Sequence, residues 1–326
     1  MALHPHFLSR WQRAWRRSLH IRLVVLGLVP MLVTLPVIMA VLVVGGQRFD
    51  ELLEANAHAH LISTRNYLEQ IRNRSGQQVL QQALSERLPQ LLKAHRGNDP
   101  TLGKVLDVWA ESAGLDYLIV ATEDGQIIAA STDAVPGTRL PRSFVVRQVL
   151  TGLPVSAYER FDAEQLARLG SRFPARARVE VAGAPKGEAE TRGLLINAAA
   201  HLPLSGDYGD AILFGGILLN NNLALIDNIR EVVFPVGTLP GGDSGTATLF
   251  LDDIRVATNV QLANGQRALG TRASAEVNQA VLEEGGTWVR RARVVDSWQI
   301  AGYQALLDGE GRRIGMIYSG FPETYY

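Results

Sequence analysis

Cysteine is absent from all 326 residues, which excludes disulfide scaffolds, thiolate metal sites and cysteine nucleophiles and leaves the redox compartment open. Net charge is absent too. The 32 basic residues balance 32 acidic ones, so no global field draws the chain to nucleic acid, and no nucleic-acid partner is expected. Also missing are a phosphate-cradling glycine loop, an HExxH helix and any cluster at metal-ligand spacing. No cofactor and no metal are expected, and no catalytic machinery is read from the chain.

Acid is missing from the whole N-terminal stretch, where the first carboxylate is Asp50, while Arg10, Arg13, Arg16, Arg17 and Arg22 cluster ahead of an uncharged apolar run. Residues 23–45 have the length of a helix that crosses a ~30 Å hydrocarbon core, and the arginine flank predicts a cytoplasmic N-terminus. The rival reading is a cleaved secretory signal, but the run is longer than a signal h-region of about 7 to 15 residues and lacks a small-x-small cleavage site. Residues 1–22, with Phe7, Leu8, Trp11, Trp15 and Leu19 at helical spacing between the arginines, read as a basic amphipathic segment at the inner membrane face or as a disordered basic tail. The expected location is the bacterial inner membrane, with everything after the span outside the cytoplasm.

Residues 46–98 carry apolar positions spaced by threes, fours and sevens, interrupted by Gly76 and Pro89. This reads as a stalk helix whose stripe covers its own domain, pairs with a second copy to make a homodimer, or does both. His58 and His60 lie two apart, on different faces of that helix, and are expected to be solvated.

Past the stalk, one pattern occurs twice. Gly137-Thr138-Arg139 leads through an apolar-periodic run to Gly152, and Gly270-Thr271-Arg272 leads through another to Gly285; each is preceded by two strands around an acidic turn. Residues 99–235 and 236–326 are therefore expected to be two similar modules, separated by Pro235, Gly237, Pro240, Gly241 and Gly242. The second reads as two strands, a helix and three antiparallel strands, giving one sheet with helices on one side. In the first, residues 155–190 read as irregular, with one helix at 163–169.

Gly242-Asp243-Ser244-Gly245 looks like a trypsin-type nucleophile motif, and His201 follows an alanine run that faintly echoes the matching histidine motif. No aspartate motif completes the set, so catalysis by this pair is not expected. Arginines are the more informative residues, because a planar guanidinium in a concave site donates paired hydrogen bonds to a carboxylate. Arg255, Arg267, Arg272 and Tyr303 form the candidate ligand set of the second module, and Arg139, Arg142, Tyr158, Asn197 and His201 that of the first. The plain alternative is that these side chains tie loops to carbonyls and to neighbouring acids such as Asp252 and Asp253.

Several segments carry a specific resemblance: Leu249-Phe250-Leu251-Asp252-Asp253-Ile254-Arg255-Val256-Ala257, Gly265-Gln266-Arg267-Ala268-Leu269-Gly270-Thr271-Arg272, and Ile314-Gly315-Met316-Ile317-Tyr318-Ser319-Gly320. Residues 247–320 resemble the membrane-proximal part of double-Cache (tandem, PAS-like) sensor domains, and the first module resembles the distal part more loosely. The resemblance implies an α+β fold: a transmembrane helix, a long stalk helix and two Cache modules, each an antiparallel sheet with flanking helices. It further implies the periplasmic signal-input region of a sensor histidine kinase, chemoreceptor or cyclase, usually dimeric, with a small ligand held mainly in the distal module; the arginines add a carboxylate or other small metabolite as the expected ligand. The aromatic-arginine-aspartate pattern of amino-acid-binding members is not seen, so the ligand class does not follow. No second apolar span follows Tyr326, where such domains normally have one, so the chain is expected to be the input half of a longer protein or else to act through a partner. The alternatives are a protein-binding scaffold and an extracytoplasmic hydrolase using Ser244.

Overall fold

A computed structural model describes residues 19–94, 100–185, 187–203, 210–239, 245–295 and 297–323. By contacts the chain divides into two units, Met1–Ala55 and Asn56–Tyr326. The described part of the first unit is the beginning of helix α1 (Leu19–Ala83). Its apolar side chains at Met31, Leu32, Leu35, Val37, Ile38, Met39, Val41, Leu42, Val43 and Val44 are each more than half exposed. Among the described residues no helix is long and apolar enough to cross a membrane. The span expected at 23–45 is therefore not found. Residues 1–18 of the expected amphipathic segment lie outside the described residues.

In the second unit α1 continues to Ala83 without a break at Gly76. That glycine instead admits Ser156: a Cβ there would stand 3.1 Å from Ser156 Oγ. The helix ends at 84–86, and α2 (Arg87–Ala94) follows with Pro89 in its first turn, where a missing N–H costs no hydrogen bond. Helix α3 (Pro100–Ala113) precedes a five-stranded antiparallel sheet made of β1 (Tyr117–Thr122), β2 (Ile127–Ala130), β3 (Val155–Phe161), β6 (Gly193–Leu202) and β7 (Ala211–Leu218), in the order β2-β1-β7-β6-β3. Between β2 and β6 also lie α4 (Phe144–Val149), α5 (Ala163–Leu169), α6 (Arg172–Ala177) and the short pair β4 (Val179–Glu180) and β5 (Ala189–Glu190). The region expected to be irregular thus contains an edge strand and a second helix. Its alternation is masked because β3 buries Glu159 as well as Ala157 and Phe161.

After α7 (Leu223–Val233) comes the second sheet: β8 (Thr246–Leu251), β9 (Ile254–Thr258), β10 (Thr287–Val294), β11 (Ser297–Leu307) and β12 (Arg313–Pro322), ordered β10-β11-β12-β8-β9. Counted along the chain, both sheets have the order second, first, fifth, fourth, third. Each also has a helix between its second and third strands that opens on a serine cap: Ser143 accepts from Val146 N before α4, and Ser274 accepts from Val277 N before α8 (Ala275–Asn278). Helix α8 runs on as a π turn, Gln279–Glu283.

The first sheet is covered on both faces. Tyr117, Phe161 and Phe214 pack towards Val145 and Val149 of α4, Leu166 of α5 and Phe173 of α6, while Leu118, Val120 and Leu213 pack towards Val79 and Ala83 of α1, Leu88 and Leu92 of α2, and Leu102 and Leu106 of α3. The second sheet packs Phe250, Tyr303, Met316 and Tyr318 against Val277 and Val281. Its other face, expected to be free of helices, receives α1: Gly302 lies against Leu61, and His60 stacks on Phe234 and Phe321 with ring centroids 4.4 and 5.8 Å apart. His60 is thus half-buried rather than solvated, and burial lowers its pKa while a backbone hydrogen bond at Val233 opposes the shift. One helix backs both sheets because its apolar positions recur from Ala57 to Ala83.

Candidate ligand-binding site

Arg255 reaches its position through local geometry. The β8–β9 turn places Asp252 at positive φ, and the β9 backbone then pairs with the segment leading to α8, Arg255 N donating to Thr271 O (3.0 Å) and Gly270 N to Arg255 O (2.9 Å). The side chain is 3% exposed. Its Nη1 donates to Thr271 Oγ1 at 2.6 Å, and its Cζ lies 5.0 Å from the Phe250 ring centroid. Nε has no partner, and among the described residues no carboxylate forms an ion pair with it. A buried charge without a counter-ion costs several kcal/mol. Here only a cation–π contact worth about 0.5–2 kcal/mol and neutral hydroxyls offset that cost.

Around it stands an aromatic wall. Tyr303 lies 4.9 Å from Tyr318, 5.6 Å from Trp288 and 6.0 Å from Phe250, centroid to centroid. Burial raises the Tyr303 pKa above its ordinary 10.0, with the Arg255 charge opposing, so the hydroxyl remains a donor. Tyr318, held protonated by complete burial, donates to Gln299 Oε1 at 2.5 Å and meets Thr246 Oγ1 at 2.9 Å. Thr271 Oγ1 accepts from Arg255 and spends its own proton on Ala268 O (2.8 Å), so Arg255 and Tyr303 are the donors in this apolar surround, a pairing that suits a carboxylate.

The other two arginines of the second candidate set are not part of this arrangement. Arg267 holds Asp227 of α7 through both carboxylate oxygens (3.1 and 2.8 Å), and Arg272 pairs with Asp253 at 2.7 Å. Both tie loops to neighbouring elements.

The candidate set of the first sheet is dispersed. Arg139 is exposed beside Asp124 at 3.7 Å, and exposed Arg142 lines a separate cavity of about 370 Å³. Asn197 is wholly buried in a closed network: it accepts from Tyr117 Oη at 2.5 Å and donates to Glu159 Oε2 at 2.8 Å. Glu159 also accepts from Ser143 Oγ (2.7 Å) and from the Phe144 amide at the start of α4 (2.5 Å). Burial raises the Glu159 pKa, while the hydrogen bonds from Asn197, Ser143 and Phe144 oppose it. In the first sheet, then, the chain's own carboxylate takes up the donors that a ligand carboxylate would use. Sequence reading missed Glu159 because its partners lie 15 to 38 residues away.

Residues 217–326 match the family model described as Single cache domain 3. The resemblance read from residues 247–320 falls inside that segment, and so does Arg255. Among solved structures the chain is similar to the periplasmic domain of Vibrio cholerae LuxQ (16% identity, TM-score 0.42, covering 82% of this chain and 99% of that one). It is also similar to the V. cholerae histidine kinase DctB sensor domain (11%, 0.42, 85% and 99%). A third is the ligand-binding domain of the Pseudomonas aeruginosa PAO1 amino acid chemoreceptor PctB in complex with L-Arg (12%, 0.39, 85% and 97%). No curated protein matches the chain.

Outside the segment matched by that family model, two more candidate residues take positions that spacing did not reveal. Tyr158 turns away from Asn197, to the α1 face of the first sheet, where Arg72 lies 5.7 Å from its ring centroid. His201 stands 3.6 Å from Glu123 and 3.7 Å from Asp210. These three are the one group among the described residues whose ligand atoms lie close enough, within 4.8 Å of one another, to hold a metal ion. Ser244 lies outside the described residues.

Proposed function

We propose that this chain is the extracytoplasmic ligand-sensing input of a membrane-bound signal-transduction receptor, of the histidine-kinase or chemoreceptor kind, and that its cache segment binds a small carboxylate at Arg255. One observation carries the reading: Arg255 is buried among aromatic rings with no carboxylate partner among the described residues. A ligand carboxylate is the counter-ion such a guanidinium lacks. Residues 23–45 would anchor the chain in the membrane, which fits an apolar run whose described side chains lie uncovered. A homodimer through the stalk, two Cache modules and an output domain elsewhere in the protein belong to the same reading.

The signal would be a population shift. Arg255 and Gly302 belong to one sheet, on opposite faces, and Gly302 bears on α1. A ligand that prefers one arrangement of that sheet shifts the helix only by its differential affinity, and moving a 1:99 balance to 99:1 takes about 5.5 kcal/mol.

The test is a thermal-shift screen of the full chain, purified in detergent, against carboxylates, amino acids, amines and purines, with Arg255→Met alongside. A ligand at about 100 times its Kd adds about 2.7 kcal/mol of stability. Carboxylates should raise the Tm of the wild type and leave Arg255→Met unmoved. Stabilisation by amines or purines alone would overturn the carboxylate assignment, and no stabilisation by any class would favour a protein-binding scaffold.

A further inference from the structure

A second cavity, of about 380 Å³, opens where α1, the edge strand β3 and the end of the β11–β12 hairpin meet. It is large enough for a small metabolite. Gln304 and Leu306 line it from the face of the second sheet opposite Arg255, so it is distinct from the site above.

Two buried donors at this junction have nothing to bind. Tyr158, 2% exposed, lines the cavity, and its hydroxyl has no hydrogen-bond partner. Glu69 is the acid near enough to act on it electrostatically. Arg72 gives its Nη2 to Glu69 (2.6 Å) and to Asn73 (3.3 Å), yet its buried Nε is also unpartnered. Each such unmet group destabilises the fold until a partner meets it.

The charge around the cavity is unbalanced in the same sense. Its two acids are already satisfied: Glu69 by Arg72, and Asp308 by the amides of Glu310 and Arg312 (2.9 Å each) and by Arg312 Nε (2.8 Å). Two of its cations are not. Arg65 has no ion-pair partner among the described residues, and Arg313 donates to the carbonyls of Leu282 and Glu283 rather than to an acid.

We propose that this junction binds a small oxyanion, a carboxylate or a phosphate group, with Tyr158 Oη and Arg72 Nε donating to it and Arg65 and Arg313 supplying the positive charge. Because these donors come from α1, from the first sheet and from the second, an anion held here ties the helix to both sheets. That makes the site a control point on the element through which the Arg255 site would signal.

The experiment is isothermal titration calorimetry of the full chain with malonate and, separately, with inorganic phosphate, on the wild type and on Tyr158→Phe, Arg65→Gln and Arg255→Met. Binding of either probe that persists in Arg255→Met and weakens about tenfold or more in Tyr158→Phe and in Arg65→Gln supports the site; which probe binds separates the two sources. The Tyr158 hydroxyl has no partner, so Tyr158→Phe should not lower the ligand-free Tm, and amide exchange over residues 57–83 should slow when the probe is added to wild type. Failure of both probes to bind overturns the proposal. So does binding indifferent to Tyr158→Phe and Arg65→Gln, or binding abolished by Arg255→Met.

Discussion

Gly302 and Leu61 touch with no room for another side chain: a Cβ on Gly302 would stand 3.2 Å from the Leu61 Cβ. The contact fixes how closely α1 approaches β11. Gly302→Val should push the helix off the sheet and destabilise the protein by about 1–3 kcal/mol, read as a lower urea midpoint at unchanged slope. A midpoint equal to wild type would mean that the helix does not rest on this strand.

Arg255 should cost stability in the absence of ligand. Replacing a buried, unpaired guanidinium with methionine removes its desolvation penalty and keeps much of its volume, so Arg255→Met should raise the ligand-free Tm by the equivalent of about 1 kcal/mol or more. A large drop in Tm would instead assign the residue a structural role.

Asn197 should matter more as pH rises. Asn197→Leu leaves Tyr117 and Glu159 without their buried partner, a loss of about 3 kcal/mol. Glu159 has a raised pKa in the fold, so its contribution to stability declines as pH climbs from the ordinary 4.5 through the folded value, where the penalised ionised form appears. Asn197 donates to that ionised form, so denaturation midpoints of wild type and Asn197→Leu should diverge on the alkaline side and converge in acid.

His60 should make the protein acid-sensitive. Its pKa is lowered from 6.5 by burial against Phe234 and Phe321, so the unfolded chain takes up the proton first. Its effect is nil well above 6.5, stability falls as pH drops through that value, and the loss levels off below the folded pKa. Melting curves from about pH 8 to about pH 5 should show this component in wild type and lack it in His60→Leu.

Much of the architecture was readable in advance because it is written locally. Apolar periodicity located α5 at 163–169 to the residue, and the acidic turns announced both opening hairpins. Strand β3 escaped because Glu159 and Tyr158 look like loop residues until Asn197, Ser143 and α1 are brought against them. Pro89 and Gly76 misled for the opposite reason: a helix tolerates proline in its first turn, and a glycine facing Ser156 is a packing device rather than a stop.

The candidate sites divide in the same way. Arg255 and Tyr303 were named from the chain alone, together with Arg267 and Arg272, which instead tie loops to Asp227 and Asp253. The grouping of Arg65 and Arg72 with Tyr158 and Arg313, or of Glu123 with His201 and Asp210, joins residues far apart along the chain.

Sequence alone determined the elements and the order in which they follow, because hydrophobic period, capping and turn chemistry act over a few residues. Only the tertiary structure decided which polar side chains are satisfied and which are left facing a cavity. Hydrogen bonds and ion pairs depend on distances of about 3 Å between groups that the chain carries tens or hundreds of residues apart, and no local rule sets those distances.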